Sequence, residues 1–240
     1  MRGRHGILRE MSSPHFKLRV AAALVILCCC AAIRAAEAEL GEFEAQADVG
    51  TVEPAGWAEF DKAAKQYRIK SSGENIWAKH DDFHFVYRKA SSDMSITSDV
   101  ELIGQGKNAH RKAGLMIREG LDADAAYVDV MVHGDGLVAL QYRSAKGEAT
   151  LDVKSSVKAP ATVRLERHGE MFSAYAAPAA AKGAAEGDKF VLIGSIKVAM
   201  KDPVYAGLAV TAHDAKVTEQ AVFSNVAVKA LAAEPGTKQP

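Results

Sequence analysis

The sequence predicts an all-β fold, a sandwich of two sheets, on three observations. From Phe43 to about Leu231 apolar residues recur at every second position, the period of a strand with one face against a core. Turns interrupt these runs at roughly the eight-to-twelve-residue spacing of all-β sandwiches. Nowhere does the period of an amphipathic helix persist. The Ala-rich stretch Ala176–Gly187 comes closest, and Pro178 and Gly183 interrupt it, so a surface loop is expected there.

Taken in order, each expected strand rests on its own alternation. Phe83, Phe85 and Tyr87 share one face of a strand that puts His84 and Val86 on the other. Met94, Ile96, Val100 and Leu102 alternate with Ser95, Thr97, Asp99 and Glu101. Leu115 and Ile117 point to the core from a strand that turns Gly114, Met116 and Arg118 outward. Val128, Val130 and Val132 alternate with Tyr127, Asp129, Met131 and His133. Val138, Leu140 and Tyr142 face in, leaving Ala139, Gln141 and Arg143 out. Val163 and Leu165 alternate with Arg164 and Glu166, and Ala206, Leu208, Val210 and Ala212 with Tyr205, Gly207, Ala209, Thr211 and His213. His133-Gly134-Asp135-Gly136, Lys146-Gly147-Glu148 and His168-Gly169-Glu170 suit hairpin turns, because glycine accepts positive φ. About a dozen strands follow from these spacings, and a parallel α/β fold does not.

The first residues differ in kind. Arg2, Arg4, Arg9, Lys17 and Arg19 precede an uncharged run of 14 residues, Val20–Ile33, shorter than the roughly 20 a membrane-spanning helix needs. That is the layout of a secretory signal peptide, and Ala36-Glu37-Ala38 offers the small-x-small site for its removal. The expected organisation is a signal peptide at 1–38, one domain at 39–231 and a disordered tail at 232–240, with the domain secreted or periplasmic. Cys28, Cys29 and Cys30 all fall in the leader, and Leu27 is too large for the small residue that a lipid-attachment site prefers. The domain therefore lacks cysteine, which excludes disulfides, thiolate metal sites and cysteine nucleophiles from it. The zero formal charge of the whole chain likewise hides two parts, since the domain and tail hold 24 basic and 28 acidic residues and carry about −4. No nucleic-acid partner is expected from such a balance, nor membrane insertion of the mature domain; a monomer is expected.

Several segments together resemble a known family. They are Ile76-Trp77, Asp82–Tyr87, Lys112–Glu119, Gln141-Tyr142-Arg143, Val163-Arg164-Leu165, Tyr205–His213 and Val222–Val226. In that order the chain resembles bacterial domains of unknown function with a concanavalin A-like lectin/glucanase fold, related to the family named after a yeast regulator of enolase. The resemblance spans roughly Phe43 to Val228 and implies a jelly-roll sandwich in exported proteins, often beside carbohydrate-active modules. One departure stands out. Such domains usually carry a short Asp-Gly turn and a Trp where this chain has an Ala-rich insertion ending at Asp188-Lys189-Phe190.

If the outward residues lie on one sheet, His84, Arg118, Gln141, Arg143 and His213 converge on its concave face, with Asp129 and Met131 nearby. Guanidiniums offer paired donors to hydroxyls and carboxylates, and Gln and His add neutral donors and acceptors. The expected function is non-catalytic binding of a glycan or polysaccharide there, biased towards anionic sugars. A solvated face whose Arg and His pair with Asp99, Glu101 or Asp129 is the plainer alternative. Glycoside hydrolysis or polysaccharide lysis is another, although the string Glu-x-Asp-x-x-Glu of same-fold glucanases is absent. Glu119, Asp122 and Asp124 come closest, but Gly120 and their spacing suggest a turn after the strand, and Asp99 and Glu101 share a strand face. A purely structural or protein-binding role is a third. No cofactor is expected. His80 and His84 sit at a zinc spacing that needs a helix, and calcium has only Asp122, Asp124 and Asp135 to draw on. Trp77 is expected to pack at the sandwich edge, with Trp57 the second large platform.

Overall fold

The structure, a computed structural model, describes residues 39–104, 106–179 and 190–232. The expected signal peptide, almost all of the tail and most of the Ala-rich insertion lie outside the described residues. The strands are β1 (Ala45–Val49), β2 (Trp57–Asp61), β3 (Gln66–Ser71), β4 (Ile76–Trp77), β5 (His80–Asp81), β6 (Phe83–Ala90), β7 (Met94–Leu102), β8 (Lys112–Arg118), β9 (Tyr127–His133), β10 (Leu137–Arg143), β11 (Leu151–Lys158), β12 (Ala161–His168), β13 (Met171–Pro178), β14 (Val191–Lys197), β15 (Val204–Thr211) and β16 (Glu219–Ala230). No helix occurs among the described residues. The Ala-rich loop starts later than expected: Ala176–Pro178 complete β13, where Pro178 stands at the strand end opposite Ala161.

Two seven-stranded antiparallel sheets form the sandwich. The front sheet runs β1-β6-β15-β8-β9-β10-β11 and the back sheet β14-β13-β12-β7-β16-β3-β2. Between them lies the main core. Val86, Leu115, Ile117, Val128, Val130, Val132, Val138, Leu140, Leu208 and Val210 enter it from the front, and Ile69, Ile96, Val100, Val163, Leu165, Phe172 and Phe223 from the back. Burying each such side chain contributes about 1.5–3 kcal/mol, enough for a cysteine-free domain to hold by packing.

A second apolar cluster lies on the outer face of the front sheet. Val49, Phe83, Phe85, Met116, Tyr127, Met131 and Ala209 pack there with Ile76 of the two-residue ribbon β4–β5. The ribbon belongs to the connection between β3 in the back sheet and β6 in the front, and crosses the outer face on its way. Gly50, at φ +72°, makes the turn after β1 that abuts this connection; a Cβ there would lie 2.1 Å from the Asp81 carbonyl oxygen and 2.3 Å from Asp82 Oδ1. Only glycine combines that φ with that approach.

Candidate functional site: the outer face of the front sheet

Strand register fixes which side chains share this face. Tyr205 pairs with Arg118, Arg118 with Tyr127 and Tyr127 with Arg143, so the two arginines flank Tyr127 in one row across the strands. The next row holds Tyr87, Gly207, Met116, Asp129 and Gln141. Two rows further, Thr211, Lys112 and His133 stand side by side.

Over β8, β9 and β10 the face is closed by the β4–β5 ribbon. The ribbon is tied down by its backbone: Asp81 N donates to Ala123 O at 2.9 Å, and Thr150 N donates to Ala78 O at 2.8 Å. Lys112 Nζ donates to Ile76 O at 3.1 Å. The Asp81 carboxylate drops between the guanidiniums. Arg143 donates to both of its oxygens, at 2.6 and 2.7 Å, and Arg118 Nη2 donates to Oδ2 at 3.5 Å. All three residues are 0% exposed. Other guanidinium N–H groups reach backbone carbonyls, Arg118 those of Gly120 and Asp122, both at 2.6 Å, and Arg143 those of Ala125 and Glu148, both at 3.0 Å, while Arg118 Nη1 meets Met116 Sδ at 3.7 Å. Each guanidinium also lies 5.0 Å from an aromatic centroid, Phe83 for Arg118 and Tyr127 for Arg143. Burial pushes the Asp81 carboxyl upward from its ordinary range, opposed by the Arg143 hydrogen bonds and the two positive charges.

A second buried pair lies beside it. Lys112 Nζ donates to Gln141 Oε1 at 3.3 Å, and burial brings its ammonium down to about 8, held up in part by the nearby Asp129 charge. Asp129 is itself fully buried, its two carboxylate oxygens have no hydrogen-bond partner among the described residues, and burial drives it well above the usual carboxylate range. His133, next to Lys112, is lowered to about 4 by burial and then by the lysine charge, and its Nδ1 meets Leu137 O at 3.2 Å.

The five residues singled out in the sequence are thus dispersed. Arg118, Gln141 and Arg143 do come together on the outer face, but at 0–3% exposure they floor a closed region and not an open groove. His84 lies on the other face. Its row partners are Val210 and, beyond it, Ala113 and Val132 of the main core. There its Nδ1 meets Asp48 Oδ1 at 2.7 Å and its Nε2 meets Gln46 Oε1 at 2.9 Å, which ties the edge strand β1 to β6. Gly56 closes over this ring: a Cβ there would sit 2.3 Å from His84 Nδ1. His213 follows β15 at φ +54°, at the rim, its ring 5.4 Å from that of His110. The expectation that Phe83, Phe85 and Tyr87 face the main core is therefore reversed. The ribbon gives these aromatics a second core outside the sheet, while the inner face of β6 carries Val86 into the main core and His84 onto the edge strand.

That reversal places an aromatic pair where the face stays partly open. Tyr87 and Tyr205 are half-buried neighbours on β6 and β15, centroids 5.2 Å apart and edge to face, with Phe85 stacked on Tyr87 at 5.4 Å. Lys89 Nζ lies 5.5 Å from the Tyr205 centroid. The edge strand β1 adds only methyl groups beside them, Ala45 opposite Tyr87 and Ala47 opposite Phe85. Among the described residues neither tyrosine hydroxyl makes a hydrogen bond and Lys89 forms no ion pair. Alternation could not find this pair, because it groups residues by face without saying which face is inside.

Other candidate groups lie elsewhere. Asp99 and Glu101 are on the outer face of the back sheet, and Asp99 is engaged by the Thr162 hydroxyl and by Asn225 Nδ2, the latter at 2.7 Å. Lys146 bonds the Asp122 carboxylate and lies 3.5 Å from that of Asp124. Trp77 is half-buried on the ribbon with Lys112 Nζ 5.6 Å from its ring, and Trp57 is exposed on the edge strand β2. At the end of the insertion, Phe190 receives the Arg164 guanidinium 4.0 Å from its ring centroid.

No family model and no curated protein matches the chain. Solved structures do. A functionally unknown protein from Saccharomyces cerevisiae aligns with a TM-score of 0.56 at 12% identity, over 79% of this chain and 97% of that one. A xylan β-1,4-xylosidase from Bacillus halodurans aligns with a TM-score of 0.50 at 16% identity, over 72% of this chain and 34% of that one. A glycoside hydrolase family 43 protein from Bacillus licheniformis gives a TM-score of 0.50 at 11% identity, over 70% of this chain. This chain spans about a third of the length of the two Bacillus proteins. At these identities the likeness establishes the fold, a concanavalin A-like jelly-roll sandwich.

Proposed function

We propose that this chain is an exported, non-catalytic glycan-binding module that engages its ligand on the outer face of the front sheet. Membership of the regulation-of-enolase-related domains and removal of residues 1–38 on export belong to the same reading. The observation that carries it is the commitment of the acids on that face. Asp81 is held by two arginines, and Asp129 is closed off beside Lys112. Hydrolysis needs two carboxyls placed on either side of a scissile bond, one of them free to give its proton, and neither of these is placed to do so. Arg118, Gln141 and Arg143 act here as the rigid support under the face, His84 as the fastening of β1, and His213 as part of its rim. The ligand class is taken by fold-level analogy from proteins whose names carry glycan chemistry, such as the xylosidase above.

The test pairs retention with turnover. The purified protein is incubated with insoluble and soluble polysaccharides, and both depletion from solution and release of reducing or unsaturated ends are followed. Retention on at least one polysaccharide without product is expected. Product formation abolished by Glu101→Gln would move the chain to the enzymes, and no retention on any glycan would end the binding reading.

A further inference from the structure

We infer that the Tyr87–Tyr205 shelf is the ligand site and that its ligand is a linear oligosaccharide carrying a carboxylate, a uronic-acid chain. This rests on the glycan-binding reading and adds to it a place and a chemical class. Three features of the shelf point the same way.

The first is shape. Two half-buried rings stand on adjacent strands of a rigid sheet, backed by Phe85 and the outer-face cluster, so their positions are set before any ligand arrives. Tyrosine supplies a large amphipathic surface at low entropic cost, one reason it recurs at recognition surfaces. The flanking residues are Ala45 and Ala47 on the edge strand and Gly207 beside Tyr87. None of these carries a side chain beyond a methyl, so nothing bulky stands over the rings from β1 or β15.

The second is unused hydrogen-bonding capacity. Both tyrosine hydroxyls lack partners among the described residues, and a hydroxyl can give one hydrogen bond and accept others. A sugar ring stacked on one tyrosine brings its own hydroxyls within reach of the other. Elsewhere on the face the cations are occupied, the guanidiniums by Asp81 and backbone carbonyls and Lys112 by Ile76 O and Gln141, and Asp129 is fully buried.

The third is charge. The Lys89 ammonium lies over the Tyr205 ring, 5.5 Å from its centroid, with no ion pair among the described residues. Glu44 is the carboxylate near it, and its Oε2 takes the Lys89 backbone N–H at 3.2 Å. A cation held beside an aromatic face suits a sugar whose carboxylate lies at the ring margin. The arginines legible in the sequence are not available for that role, so the acidic preference falls to Lys89.

The experiment titrates the full-length protein with a linear uronic-acid oligosaccharide and with the same oligosaccharide after carboxyl reduction. Wild type, Tyr87→Ala, Tyr205→Ala, Tyr205→Leu and Lys89→Ala are compared, each checked for an intact β-sheet spectrum. The tyrosine variants are expected to lose about tenfold or more for both probes. Lys89→Ala is expected to lose about two- to fivefold for the acidic probe alone. Tyr205→Leu keeps the buried bulk and separates loss of stacking from loss of fold. Binding that survives in all tyrosine variants would overturn the site. Equal affinity for both probes, or a preference for the reduced one, would overturn the acidic class while leaving glycan binding in place. Failure of both probes together with every polysaccharide tested for retention would overturn the glycan-binding reading itself.

Discussion

The two halves of one sheet face have opposite fates. Over β8, β9 and β10 the outer face is polar and shut: Asp81, Arg118, Arg143, Lys112 and Asp129 are buried together under the ribbon β4–β5. Over β6 and β15 the same face is aromatic and partly open, with Tyr87, Tyr205 and Lys89 at its margin. Charge and exposure are inverted relative to ordinary expectation, in which charged groups are outside and aromatics inside. The difference comes from a single connection. The segment from β3 to β6 brings its own carboxylate to the arginines and stops short of the tyrosines.

The largest effect that would break this comparison is removal of that carboxylate. Asp81→Ala leaves two guanidiniums buried without their anion, and such an unpaired buried charge costs roughly 3–5 kcal/mol. A fall of that size in denaturant-unfolding free energy is expected, whereas Lys89→Ala, on the open half, should stay within about 0.5 kcal/mol of wild type. Equal, small effects from both would mean the ribbon is not held by its charge.

Acid should act next. The folded-state pKa of His133 is lowered from 6.5 to about 4. The unfolded chain therefore takes up a proton on this residue before the folded chain does, as pH drops through that window. Its contribution is intact above about 6.5 and is lost towards pH 4, by roughly 3 kcal/mol in all. Asp129 has the opposite sign, since its raised pKa means the folded state holds that proton more tightly. The discriminating variant is His133→Gln, which should flatten the fall in stability between neutrality and pH 4 measured by thermal or urea unfolding. An unchanged slope would show that another group sets it.

A smaller and purely steric effect is expected at Gly50. Alanine there combines an unfavourable positive φ with contact against the Asp81 carbonyl, for a loss of about 1–3 kcal/mol. Because the loss acts through the ribbon, Gly50→Ala should speed amide exchange at Asp81 and Asp82 more than in β12 or β16. Uniform acceleration would instead indicate a global loss.

Much of the architecture was legible in the sequence. The runs at Met94–Leu102, Tyr127–His133 and Leu137–Arg143 are strands with the expected residues facing the core, because there one set is mainly apolar while the other carries Asp99, Glu101, Asp129, His133, Gln141 and Arg143. On β6 one set is aromatic and the other mixes His84 and Arg88 with Val86, yet the mixed set faces the main core, and alternation alone does not say which face a later connection covers. The aromatic set has the composition of a core set, so the tyrosine shelf leaves no signature of its own in the sequence. Asp81 was equally hidden. In sequence it is one of two aspartates between His80 and His84, and nothing local says that it will meet arginines 37 and 62 residues away. The arginines are legible from their outward position on β8 and β10; their partner comes from a long-range connection that no spacing encodes.

The most direct test of the division between a locked half and a binding half is a backbone-amide NMR titration of the protein with the acidic oligosaccharide. Shifts are predicted at Ala45, Tyr87, Lys89 and Tyr205, with Ala78–Asp81, Arg118 and Arg143 unmoved. Shifts centred on the ribbon and the arginines, with the tyrosine strands silent, would contradict the account.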